Sequence, residues 1–114
     1  MKYMHYQSKQ KMDEKTKEKV EKVINSDRIF VMMKGTPEQP MCGFSARVIH
    51  LLKDSKVKFA FFNIFDDHEL MQQIKDYSDW PTTPQLYIEG KLIGGCDIIE
   101  QLAESGKLKE ILKA

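Results

Sequence analysis

The sequence has few cysteines: only Cys42 and Cys96 in 114 residues. With no secretory signal to accompany them, two thiols exclude a disulfide-stapled scaffold and point to a reducing intracellular compartment, the mitochondrial matrix or the cytoplasm. Long apolar runs are absent too. Nothing approaches the ~18 residues that a membrane span requires, so no membrane partner is expected. Charge of one sign is missing: 18 basic against 17 acidic residues leave a net +1, which excludes an electrostatic case for nucleic acid. The three histidines, His5, His50 and His68, fall at no ligand spacing and read as surface groups. No internal repeat or interdomain linker interrupts the chain.

What is present is the composition of one ordinary domain, 41% hydrophobic and 31% charged. Residues 1–12, MKYMHYQSKQKM, are polar and basic and lack an apolar signal core. They are expected to form a disordered tail, with a trimmed organelle-targeting stub as the alternative, and residues 13–114 the domain. From Asp13, helical spacing of Val20, Val23 and Ile24 predicts a first helix. Ile29–Met33 (IFVMM) reads as a buried strand. Phe44, Val48, Leu51 and Leu52 mark the face of a second helix, and Phe59–Ile64 a second strand. Asp66-Asp67 opens a third helix with Leu70, Ile74 and Tyr77 on its apolar face. Gln85–Ile88 and Lys91–Ile93 flank Glu89-Gly90 as a hairpin. Ile98, Ile99 and Leu102 face a fourth helix, and Leu108–Leu112 forms a short fifth. The order α-β-α-β-α-β-β-α-α places the first two strands parallel and the last two antiparallel. The fold class is α/β: a four-stranded mixed sheet flanked by helices on both faces.

One residue carries chemistry by position. Cys42 lies between a loop containing Pro37 and Pro40 and the start of the second helix. Free N–H groups and the helix dipole favour negative charge there, so its thiol is a candidate thiolate; a small buried hydrophobe is the competing reading. Ser45 stands where a C-x-x-C redox pair would have its second cysteine. A hydroxyl cannot resolve a mixed disulfide, which closes the intramolecular dithiol cycle.

Four segments converge: Lys34-Gly35, Cys42-Gly43-Phe44-Ser45, Trp80-Pro81-Thr82-Thr83-Pro84 and Gly94-Gly95-Cys96-Asp97. In this order and spacing, they make the chain resemble the monothiol glutaredoxins of the C-G-F-S type over roughly residues 15–113. The long loop between Lys34 and Cys42 is typical of the same subgroup. The resemblance implies a thioredoxin-like fold and a glutathione site. Lys34 would pair with a glutathione carboxylate. Thr83, ahead of a cis bond to Pro84, would present its backbone to the cysteinyl part as an added strand does. Gly94-Gly95 would let the backbone turn tightly without Cβ clashes. The N–H groups of Cys96 and Asp97 would receive the γ-glutamyl carboxylate, with the Asp97 side chain meeting the ammonium, acting as a plain N-cap, or both. Cys96 reads as a packing residue that lends its backbone. One departure stands out: Met71 occupies a position where relatives commonly have Arg, and Lys75 one turn on is the candidate substitute.

The resemblance also implies a function. A [2Fe–2S] cluster is held mostly by thiolates, and one usable thiol per chain calls for two chains. Cys42 from each, with two glutathiones, would bridge the cluster in a homodimer that passes it to apo iron–sulfur acceptor proteins. The alternative is a glutathione-dependent thiol–disulfide oxidoreductase, in which Cys42 attacks a protein–glutathione mixed disulfide. A third arrangement pairs the chain with a BolA-like partner through a shared cluster.

Overall fold

The computed structural model describes residues 12–113; the expected tail, Met12 apart, and His5 lie outside the described residues. Helix α1 (Glu14–Ile24) begins at Asp13, whose Oδ1 accepts the Thr16 N–H at 2.7 Å. Strand β1 (Ile29–Met33) is buried along its whole length, which explains its uninterrupted apolar run. Helix α2 (Gly43–Asp54) follows the loop, then strand β2 (Ala60–Asn63) and a 3₁₀ turn over Ile64–Asp66. Helix α3 (His68–Ser78) is capped by Asp67, which accepts the Leu70 N–H at 2.9 Å. Strands β3 (Gln85–Ile88) and β4 (Lys91–Gly94) form the hairpin, and helices α4 (Cys96–Glu104) and α5 (Lys107–Lys113) close the described chain.

The sheet order is β2-β1-β3-β4, with β1 parallel to β2 and antiparallel to β3. Alternation along β1 divides the core. Ile29, Val31 and Met33 pack with Val48, Ile49 and Leu52 of α2, Ile99 of α4, and Leu108 and Leu112 of α5. Phe30 and Met32 pack on the other face with Val20 and Ile24 of α1, and Leu70, Met71 and Ile74 of α3. The expected α/β sandwich, with helices on both faces of a mixed sheet, is therefore the observed one. Arg28 ties α5 down. Its Nη1 and Nη2 donate to the Leu112 and Ile111 carbonyls at 2.5 and 2.8 Å, while its Nε meets Glu89 at 3.2 Å.

Two helix faces differ from those expected. The inward residues of α2 are Ser45, Val48, Ile49 and Leu52, whereas Phe44 is 62% exposed. Ser45 points inward because its Oγ accepts the Lys34 N–H at 3.1 Å, and helical rotation then carries Phe44 to the rim. On α4, Ile99 is buried but Ile98 is exposed and lies over Gly94, where an added Cβ would come within 2.7 Å of Ile98 Cδ1. The second strand is also shorter than Phe59–Ile64, since Ile64 already belongs to the 3₁₀ turn. There Asn63 Oδ1 accepts the Phe65 N–H at 3.0 Å and bends the chain out of the ladder.

Candidate functional site: a thiol beside a charged groove

Cys42 is the N-cap of α2, with φ −158° and ψ 142°. The preceding loop delivers it there. Thr36 and Gln39 exchange backbone hydrogen bonds, and Met41 N–H donates to the Lys34 carbonyl at 2.9 Å. Gly35 has φ +91°, and a Cβ there would collide with the Gln39 carbonyl oxygen, so glycine is required. Asn63 Oδ1 accepts the Gly35 N–H at 3.0 Å and Lys53 Nζ donates to the Pro37 carbonyl at 3.1 Å, fixing the first half of the loop.

The Cys42 side chain makes no capping hydrogen bond as a thiol. Partial burial raises its pKa, but the N–H groups of Ser45 and Phe44, the Ser45 hydroxyl and the Lys34 charge outweigh that effect. The net pKa lies below the ordinary cysteine value, as the free N–H groups of a first helical turn require. Ser45 serves twice. Its oxygen accepts from Lys34, and its O–H is left to donate toward Cys42. The sequence identified Ser45 as the missing resolving cysteine; its bond to Lys34 needed the fold.

A groove of about 440 Å³ opens beside this helix start. Lys34, Thr83, Pro84, Gly95, Cys96 and Asp97 all line it, which brings together every site residue expected beside Cys42. Cys42 itself adjoins the groove through Phe44 and Lys34, which line it. The Thr83–Pro84 bond is cis. Gly95 forms part of the floor: an added Cβ would stand 3.4 Å from the Pro84 carbonyl and 3.6 Å from Trp80 Nε1. Among the described residues, buried Trp80 Nε1 and Thr83 Oγ1, both on groove residues, have no hydrogen-bond partner.

The fold also places Met71, Lys75, Asp97 and Cys96. Lys75 lines the groove, whereas Met71 is 8% exposed and packs in the core between α1 and α3, so the second groove cation is Lys75. Asp97 is not an N-cap, because α4 begins at Cys96 and Gly95 caps it without a side-chain bond. Cys96 is buried and unbonded to Cys42, as a packing residue should be. Its Sγ lies 3.6 Å from Glu100 Oε1, and Glu100 in turn pairs with Arg47. Burial, then Glu100 and Asp97, push the Cys96 thiol above its ordinary value, with Arg47 opposing.

No cluster of three or more His, Cys, Asp or Glu suited to a metal ion occurs among the described residues. His50 and His68 are exposed, as expected of surface groups. No helix among the described residues is long and apolar enough to cross a membrane.

Residues 29–93 match the family model for glutaredoxin. The chain is 48% identical over 95 residues to monothiol glutaredoxin-S11 of Oryza sativa subsp. japonica, covering 83% of this chain but only 19% of that protein's length. It is 42% identical over 113 residues to the mitochondrial monothiol glutaredoxin-5 of Saccharomyces cerevisiae, covering 96% of this chain and 75% of that protein. A buckwheat glutaredoxin–glutathione complex superposes with a TM-score of 0.72 at 26% identity, over 90% of this chain and 94% of that one. A lone accessible thiol at a helix start, Ser45 in the resolving position and this level of identity lead to one conclusion: the chain belongs to the glutaredoxin family, among its monothiol members.

Proposed function

We propose that the groove binds glutathione and that two copies of the chain carry a [2Fe–2S] cluster as cargo, delivering it to apo-proteins. The observation that carries the glutathione reading is charge complementarity. Glutathione is an extended tripeptide with two carboxylates and one ammonium; the groove offers two cations, Lys34 and Lys75, and one anion, Asp97. Lys34 and Lys75 meet carboxylate. Thr83 supplies backbone pairing to the cysteinyl part, and Pro84 and Gly95 keep the floor low enough for close approach. The N–H groups of Cys96 and Asp97 at the start of α4 receive the γ-glutamyl carboxylate, and Asp97 meets the adjacent ammonium.

The donor set also fits a shared cluster. One thiolate per chain cannot hold a [2Fe–2S] core alone, so Cys42 from each copy and the thiols of two glutathiones together make the thiolate set. A half-exogenous set suits release to an acceptor. A reducing compartment such as the mitochondrial matrix or cytoplasm keeps Cys42 and glutathione as thiols, and the yeast relative is named mitochondrial. Anaerobic reconstitution with iron, sulfide and glutathione should give a visible chromophore and a dimer by mass, while apo-protein stays monomeric. A chromophore that forms equally well without glutathione overturns the arrangement.

The depressed Cys42 pKa also supports a second activity from the same site. The Cys42 thiolate attacks the glutathione sulfur of a protein–glutathione disulfide, and the protein leaves as thiolate. A second glutathione thiolate then attacks the Cys42–glutathione disulfide, releasing oxidised glutathione and restoring Cys42. With Ser45 in the resolving position, turnover waits on external glutathione. It should fall well below that of a dithiol glutaredoxin under the same conditions; equal turnover would make this the primary function. A partner of BolA type would have to supply its own ligand to the cluster.

A further inference from the structure

Gln85 is fully buried at the start of β3, an unusual place for an amide. It pairs across the sheet with Met32, so its side chain shares the α1/α3 face with Phe30, Met32 and Tyr87. An apolar residue would fill that space without desolvating four hydrogen-bonding positions. Here three are used and the fourth has a hydroxyl nearby. Nε2 donates to the Trp80 carbonyl at 2.7 Å and the Thr82 carbonyl at 3.0 Å. Oε1 accepts from the Tyr87 hydroxyl at 2.7 Å, and Ser78 Oγ, with the Lys75 carbonyl nearer at 3.3 Å, stands 3.5 Å away. Burial pushes Tyr87 up to about 12, so its hydroxyl remains a donor at neutral pH.

The two carbonyls that Gln85 grips belong to the segment between α3 and β3, which has no regular secondary structure. Trp80, Thr82 and Thr83 from this segment line the groove. The Thr82–Thr83 peptide is trans, since Thr83–Pro84 is the one cis bond among the described residues. In a trans peptide the C=O and N–H point in opposite directions. Pulling the Thr82 carbonyl in toward Gln85 therefore turns the Thr83 N–H outward, away from the core.

We infer that Gln85 is a positioning residue: its buried amide sets the orientation of the 80–83 backbone and so aims the Thr83 N–H at the ligand in the groove. The inference rests on the reading of that ligand as glutathione. Its two halves can be separated. Tyr87→Phe removes only the bond on the Oε1 side and leaves both donations to the loop intact. Gln85→Glu keeps the acceptor side but loses both donations, and Gln85→Met loses all three bonds at similar volume.

The test measures glutathione affinity by calorimetric titration of the reduced full chain, and the unfolding midpoint, for wild type and the three variants. Gln85→Met and Gln85→Glu should each weaken glutathione about tenfold, equivalent to about 1.4 kcal/mol. Tyr87→Phe should lower the unfolding midpoint and leave affinity unchanged. Amide shifts of Thr82 and Thr83 should move in the two Gln85 variants only. If affinity simply follows stability across the set, or stays at the wild-type value in both Gln85 variants, the positioning role is wrong. Wild-type protein that takes up no glutathione overturns the glutathione reading, and the amide shifts of the Gln85 variants then decide separately whether Gln85 orients the loop.

Discussion

Cys42 and Cys96 both stand at helix starts, and their environments drive them in opposite directions. Cys42 is the N-cap of α2, with its sulfur facing the N–H groups of Ser45 and Phe44 and the charge of Lys34. Cys96 is one position further in, the first residue of α4, buried, with Glu100 a turn away at 3.6 Å. The same dipole acts at both ends. Burial of Cys96, the Glu100 carboxylate beside it and one residue of displacement along the helix separate the two thiols. In this chain the helix start lowers the pKa of the cysteine at the cap, whose sulfur faces free N–H groups, and does not lower that of the buried cysteine one position in beside a carboxylate.

The strongest way to break this comparison is to remove each sulfur in turn. Cys42→Ser should abolish cluster retention and glutathione-dependent dimer formation in anaerobic reconstitution. Cys96→Ser should keep both within about twofold, because the Cys96 thiol is buried and its pKa is raised, and the proposed site uses only its backbone. A Cys42→Ser protein that still takes up a stoichiometric cluster would move the ligand role elsewhere.

Next in size is reactivity. Alkylation by iodoacetamide follows the thiolate fraction. A lowered pKa means that Cys42 is ionised at a lower pH than free cysteine, so its rate profile should rise first, and that of Cys96 last. Near neutral pH, residue-resolved mass spectrometry should show Cys42 reacting at least about tenfold faster, helped by its greater exposure. Ser45→Ala should move the Cys42 profile toward higher pH by removing the hydroxyl donor. Linkage gives the matching stability signs. The Cys42 contribution is present above the unfolded-state pKa of cysteine and is lost as pH falls through its lower folded value. The Cys96 contribution is present below the unfolded-state pKa and is lost as pH rises through its higher folded value.

Much of this contrast was legible in the sequence, and the reason is physical. Short-range rules acting within a few residues of Cys42, a loop and then a helix start, already favour its ionisation. Likewise the periodicities of Val20–Ile24 and the unbroken run Ile29–Met33 locate α1 and β1, because burial on one face or two leaves a direct imprint. What local rules could not show were contacts made across the fold. The inward turn of Ser45 depends on Lys34, eleven residues earlier. Arg47 and Glu100 meet only once α2 and α4 pack. Gln85 looked like one polar position in a strand, and its partners Trp80 and Thr82 sit in a loop whose path periodicity does not encode. Met71 and Lys75, one turn apart on α3, were separable only when the core and the groove each claimed one of them.

Lys34 sharpens the comparison because it serves both the thiolate and the groove. Lys34→Ala should weaken glutathione binding about tenfold and also slow Cys42 alkylation, an effect that Lys75→Ala should not share. Lys75→Ala should cost about three- to tenfold in affinity, the range expected for a partly exposed charge pair. Met71→Arg should add no affinity. Its side chain starts in the core, so the change should instead cost about 1–3 kcal/mol of stability. Tighter glutathione binding in Met71→Arg would return the carboxylate site to that position.

The smallest effect tests the cause on the Cys96 side. Glu100 is within 3.6 Å of the Cys96 sulfur, and it raises the thiol's pKa by charge and by holding the protonated form in a hydrogen bond. Replacing it with glutamine removes the charge and keeps the shape, so the alkylation profile of Cys96 should move to lower pH. Arg47→Ala should move it the other way, since Arg47 both opposes the shift directly and offsets Glu100. Because Arg47 already offsets part of the Glu100 field and is itself exposed, the change in rate near neutral pH should be roughly a few-fold. It should shrink in high salt, whereas the part due to burial should not. Both variants are best measured in a Cys42→Ser background, where Cys96 is the only thiol to react. If Glu100→Gln leaves the Cys96 profile in place, burial alone keeps that thiol protonated, and the contrast between the two helix starts reduces to exposure.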